Sequence, residues 1–137
     1  MRADVVLDAS VAAKFYFNED GSERARSLLT SGIVVAAPEL LHLEMASIAI
    51  KKIRMGLSTS EHAQDALTSV GDLLDAVTPI AGLRIRAFQF ARDYGFTVYD
   101  GAYLALAEQL IAPLLTADNP LLIRARDLGM GHLVQEL

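Results

Sequence analysis

Short aliphatic and β-branched runs alternate along this chain with longer stretches of helical period. The runs are VVLD at 5–8, IVVAA at 33–37, FTVYD at 96–100, PLLTAD at 113–118 and HLV at 132–134. Strand-sized runs separated by helix-sized segments predict an α/β fold with a mainly parallel sheet. AVTPI at 76–80 stays open between an edge strand and a loop, because Pro79 has no N–H to give to a ladder. Between the runs, Ser58 and Glu61 make a capping-box pattern and Gly32, Gly56 and Gly95 read as helix stops. Pro120 follows Asn119 as a first helical residue follows its cap.

The polar positions that interrupt this pattern are more telling than the pattern itself. Asp8, Asp100 and Asp118 each stand at the predicted carboxyl end of a strand, the edge of an open parallel sheet at which ligands bind. Glu44 shares a helical stripe with Leu40 and Ile48, one turn to either side. A carboxylate on such a stripe has to be paired, hydrogen-bonded or metal-bound. Each acid also has a purely structural role open to it. Asp8 and Asp100 could cap helices, although Tyr103 stands where a capping box after Asp100 would want Glu or Gln. Asp118 could serve a local turn, with Asn119 the better cap, and Glu44 could reach solvent from the edge of its stripe.

Composition narrows what such acids can be for. The 137 residues suit one domain, 1–137. Their 53% hydrophobic content exceeds the ~45–50% usual for soluble domains, which predicts that a partner chain covers part of the surface. There is no cysteine, so disulfides, thiolate zinc sites and cysteine nucleophiles are excluded and a reducing cytoplasm fits. Asp4 and Asp8 break up the first apolar run, which is too short for a signal-peptide core, and no stretch has the length of a membrane span. The net charge of −5 argues against a generally basic nucleic-acid surface.

Clustered carboxylates repel one another and have raised pKa values unless a cation joins them. Oxygen-only ligands select hard ions, Mg²⁺ or Mn²⁺. His42, His62 and His132 show no i, i+4 pairing and do not read as ligands. Carboxylate-held metal chemistry cleaves phosphodiesters without a side-chain nucleophile, one ion activating the attacking water and a second, where present, stabilising the leaving oxygen.

The stretches VVLDAS, APELLHLEMASIAIKK, GFTVYDGAYLALAEQL and PLLTADNPLLIRARDLG resemble, in order and spacing, those of the PIN-domain ribonucleases. Within that superfamily the chain is most similar, over its whole length, to the VapC-type toxins of bacterial and archaeal toxin–antitoxin pairs. The resemblance implies a three-layer α/β/α sandwich and a site that binds Mg²⁺ or Mn²⁺ to hydrolyse RNA. Carried over by position, the motif acids are Asp8, Glu44, Asp100 and Asp118, the first and third the principal metal ligands and the others completing or orienting the site. Ser10 and Thr116 resemble the polar residues that support those ligands. A homodimer and a VapB-like antitoxin whose tail wraps the site are also implied. Gly101 and Asn119 depart from the pattern, standing where alanine and a charged residue are commoner.

Other charged residues fall outside this set. Glu108 lies about two helical turns, ~12 Å, beyond Asp100, too far to share an ion, and reads as a salt-bridge partner. Lys14 reads as a solvated lysine rather than a phosphate contact. Lys51, Lys52 and Arg54 form the densest basic patch, read either as an RNA contact or as a wet helix face. Two alternatives remain: a PIN-like scaffold that binds RNA or protein without cutting, and a phosphoacceptor receiver-like domain. The second lacks the adjacent acids and the late Lys-Pro that its chemistry needs.

Overall fold

Val5–Leu7 (β1) is apolar and buried at every position, as a parallel strand covered on both faces must be. The computed structural model describes residues 2–137, so Met1 lies outside it. Beside β1 lie Val35–Pro38 (β2) and Leu114–Thr116 (β4), equally buried, and outside these lie Ala76–Thr78 (β3) and Val134–Glu136 (β5). All four pairings are parallel, in the order β3-β2-β1-β4-β5. Val6 sits between Ala36 and Leu114 in register. The open segment at 76–80 resolves as an edge strand ended by Pro79, the position at which a missing N–H costs the ladder nothing.

Among the described residues, seven α-helices cover this sheet, making the three-layer α/β/α sandwich: Ala9–Tyr16 (α1), Ser22–Leu29 (α2), Leu40–Arg54 (α3), Ser60–Ser69 (α4), Arg84–Tyr94 (α5), Val98–Leu110 (α6) and Asn119–Asp127 (α7). Helix α6 is buried from Gly101 to Ala107 and packs on β1, β2 and β4. Helix α5 lies against it, and α1 packs on α2 and α3. Gly101 permits the close α5–α6 approach, since a Cβ there would stand 2.6 Å from the Ala87 carbonyl oxygen. Gly95 ends α5 in the left-handed region at φ 75°, as a glycine stop should.

Several local expectations are corrected. FTVYD is not a strand: its Thr97 hydroxyl accepts from the Asp100 N–H and caps α6, so a β-branched run opens a helix. Thr59, not Ser58, caps α4, accepting from the His62 N–H. Asp118, not Asn119, caps α7, which moves Pro120 one place into the first turn. IVVAA and HLV are each displaced, the strands starting at Val35 and Val134. Among the described residues, no helix is long and apolar enough to cross a membrane.

Candidate active site

The strand order reverses direction at β1, from which the chain steps outward to β2 and β3 and then returns to β4 on the other side. Such a switch point opens a crevice at the carboxyl ends of the two diverging strands. Asp8 follows β1 there, and Thr116 and Asp118 end and follow β4.

Asp8 opens α1 with its backbone carbonyl, which accepts from the N–H groups of Val11 and Ala12. Its side chain caps nothing. Instead Oδ2 accepts hydrogen bonds from Ser10 Oγ at 2.8 Å and Thr116 Oγ1 at 2.6 Å. Those hydroxyls are themselves held, because Ser10 Oγ accepts from the Ala117 N–H at 3.2 Å and Thr116 Oγ1 from the Asp118 N–H at 3.0 Å. Thr116 is fully buried. Burial pushes the Asp8 carboxyl up, and the Asp118 charge adds to this against the opposing pull of Thr116 and Ser10.

Asp118 spends Oδ1 on the Leu121 N–H at 3.1 Å. Asp100 is the third residue of α6 and donates its N–H to the capping Thr97 hydroxyl, whose hydrogen bonding also pulls the Asp100 carboxyl down a little. Its carboxyl is pushed up to about 6, by burial first and then by the charges of Asp118 and Asp8. Glu44, on α3, has its carboxyl raised by burial and then by Asp8 and Asp100, against the lowering influence of Tyr103. The four acids anticipated from the pattern thus act on one another electrostatically, although Asp100 arrives on a helix and not at a strand end. No lysine, arginine or histidine is among the causes of the shifts of Asp8, Glu44 and Asp100.

Glu44 Oε1 and Tyr103 Oη are buried beside one another, too poorly aligned for a well-formed hydrogen bond, and neither has another partner among the described residues. A buried polar group left this way costs about 1–3 kcal/mol. Tyr103 was not anticipated as part of the site. Its signal was the i, i+3 spacing from Asp100, which puts both on one face of α6. Burial and the Glu44 and Asp8 charges raise its hydroxyl, so it stays protonated.

This donor set is oxygen only, uncompensated and partly buried, and it suits a hard divalent cation. Among the described residues, no three His, Asp or Glu side chains already stand as a group that could hold an ion. The carboxylates are gathered at the crevice without closing on a common centre. The histidines lie elsewhere, His62 bonding the Tyr16 carbonyl at 2.7 Å.

The remaining acids are treated differently. Glu108 meets Arg86 in a two-pronged pair at 2.8 and 3.0 Å, the salt bridge that its spacing suggested. Lys14 is not a solvated arm: together with Lys52 it closes on Glu19.

The description "PIN domain" belongs to the family model that matches residues 5–126. Ribonuclease VapC3 of Pyrobaculum aerophilum is 34% identical over 119 residues, covering 85% of this chain and 91% of that relative. Ribonuclease VapC12 of Mycobacterium tuberculosis is 35% identical over 121 residues, covering 85% and 88%. The fold is shared with the crystal structure of PAE2754 from Pyrobaculum aerophilum, at TM-score 0.68 and 21% identity over 89% of this chain and 79% of that one. FitAcB from Neisseria gonorrhoeae superposes at TM-score 0.56 and 18% identity over 97% and 96%.

Proposed function

Because this chain belongs to the PIN-domain family, alongside the VapC-type ribonucleases, we propose that it is a Mg²⁺- or Mn²⁺-dependent endoribonuclease and the toxin of a type II toxin–antitoxin pair. The observation that carries this reading is the placing of Asp8, Glu44 and Asp100 at the crevice of a parallel sheet, where burial first and neighbouring carboxylates second raise each of them and no basic side chain is among the causes. Asp8 and Asp100 are the principal metal ligands, and Glu44 and Asp118 complete or orient the site. When bound, the ion lowers the pKa of water and offsets charge on the scissile phosphate. Ser10 and Thr116 hold Oδ2 of Asp8 and so fix the carboxylate that would bind the ion. Tyr103 stays a donor beside Glu44, and Asp118 keeps one oxygen on its helix and offers the other.

The decisive experiment is cleavage of mixed cellular RNA with Mg²⁺, with Mn²⁺ and with EDTA. Cleavage that EDTA stops supports the reading, whereas RNA binding with no cleavage in either ion would point to a silent scaffold.

The partners follow from the same reading. A VapB-like antitoxin covers the site, and co-expression with its cognate antitoxin should suppress cleavage. A homodimer is supported by exposed apolar side chains, among them Leu43, Ile50 and Met55 on or beside α3 and Ile85 and Phe88 on α5. Light scattering that found only monomer over a wide concentration range would remove the homodimer alone. Transcripts are met in the cytoplasm, where we place the protein.

A further inference from the structure

A groove of about 340 Å³ opens beside the acids, with Ser10 and Ala117 in its lining. Ser10 bonds Asp8, so the groove adjoins the proposed cleavage site directly. Lys14 from α1 and Lys51 and Lys52 from α3 also line it. Three cations in one groove stand out in a chain of net charge −5.

One acid answers them. Glu19 Oε1 accepts from Lys14 Nζ at 3.2 Å, and Glu19 Oε2 accepts from Lys52 Nζ. Both lysine side chains are 17% exposed and Glu19 is 25% exposed, so none is a freely solvated arm. Lys14 Nζ also donates to the Asp20 carbonyl at 2.6 Å. The loop beneath Glu19 is pinned by buried Ser22, whose hydroxyl donates to the Phe17 carbonyl at 2.8 Å and accepts from the Glu19 N–H at 3.0 Å. Any movement at Glu19 therefore belongs to its side chain and not to its backbone.

Burial pushes the Glu19 carboxyl up, but hydrogen bonds from Lys52 and Lys14 outweigh this and hold it below its ordinary value, so it is ionised at neutral pH. Its two oxygens each take one ammonium group. A phosphodiester presents two non-bridging oxygens and one negative charge in a comparable way. Lys51 has no ion-pair partner among the described residues, so the groove stays cationic even with Glu19 in place.

We propose that this groove is the RNA-backbone subsite next to the cleavage site, where Lys14, Lys51 and Lys52 bind a phosphodiester, and that Glu19 occupies it in the free protein as an internal stand-in for that phosphate. RNA entering the site displaces the Glu19 carboxylate and takes over both ammonium groups. The inference rests on the ribonuclease reading for the identity of the polyanion.

The test measures binding of a fluorescently labelled single-stranded oligoribonucleotide in EDTA, so that no cleavage intervenes, across a range of salt. Glu19→Gln should bind about threefold more tightly, and Lys14→Gln, Lys51→Gln and Lys52→Gln each about threefold more weakly, with a log–log salt slope flatter by about 0.7 for each lysine neutralised. Lys51→Gln breaks no ion pair and so reads the groove without disturbing the loop. Unchanged or weakened binding by Glu19→Gln, or lysine variants with the parent's affinity and slope, would overturn the subsite. Polyglutamate competing as well as RNA at equal charge would also overturn it, in favour of an acidic peptide. If RNA binding follows the lysines in a chain that no divalent ion makes cleave, the nuclease reading fails and the groove stands. If cleavage is lost in Asp100→Asn while no lysine variant alters binding, the reverse holds.

Discussion

Glu108 and Glu44 are both glutamates on well-formed helices, and the fold treats them in opposite ways. Glu108 lies at the surface, 45% exposed, with the Arg86 guanidinium on both of its oxygens. Glu44 has one buried oxygen with no well-formed hydrogen bond, only the Tyr103 hydroxyl beside it, and feels two other carboxylates. An exposed pair of the first kind contributes about 0–1 kcal/mol and can be removed cheaply. An arrangement of the second kind costs stability, so its retention points to a ligand and not to the fold. The difference lies in what was placed nearby: the chain supplies a cation to Glu108 and to Glu19, and leaves the crevice acids without one.

The strongest way to break that contrast is to remove charge from the crevice. Asp8→Asn and Asp100→Asn keep side-chain volume and should each lower RNA cleavage at least about a hundredfold, the scale on which a single electrostatic group in an active site acts. Their melting temperatures should equal or exceed that of the parent in EDTA. Near-parental cleavage by either, where EDTA silences the parent, would return these acids to a structural role.

Next in size is the response to metal. An ion that binds only the folded crevice should stabilise it by about 2.7 kcal/mol at a hundred times Kd. Thermal melts in Mg²⁺ or Mn²⁺ should therefore rise, and rise less in Asp100→Asn. A melting temperature indifferent to millimolar levels of both ions would count against the assignment.

Proton linkage sharpens the contrast further. Asp100 titrates at about 6 when folded against an ordinary 3.8, so between those values the folded chain holds more protons than the unfolded one. Its destabilising charge is fully present above about pH 6, and metal-free stability should gain about 1–2 kcal/mol as pH falls through the window, allowing for solvent screening. Glu108 is shifted down by Arg86, so its contribution runs the other way and fades on acidification. Urea melts at a series of pH values should show the gain in the parent and lose most of it in Asp100→Asn. Smallest of all, Glu108→Gln should cost less than about 1 kcal/mol and leave cleavage untouched.

The buried sheet was legible because parallel strands declare themselves as unbroken apolar runs, as VVL and PLLT do. The run FTVY misled for a local reason. Its β-branched and aromatic residues favour a strand, but the Thr97 hydroxyl offered the backbone a cap and the helix took it. Ser58 and Thr59 competed in the same way, and adjacent hydroxyls cannot be ranked without the chain's path. The acids were legible as interruptions of an apolar pattern. Tyr103 was not, because a tyrosine on a buried helix looks like core until its hydroxyl is seen beside Glu44. Glu19 was beyond reach, since its partner Lys52 is brought to it only by the packing of α1 on α3.

The close approach at Gly101 has a consequence for how such a chain can change over generations. The atom that a Cβ would strike is the carbonyl oxygen of Ala87, part of the main chain, so trimming the neighbouring side chain cannot make room. Alanine at 101 becomes acceptable only when the whole of α5 sits farther from α6. A single substitution at 101 is therefore costly by itself, and the seating of α5 and the residue at 101 have to change together. A chimera that imports both helices together from a relative should fold where an exchange of α6 alone does not, and the pair carries Asp100 with it.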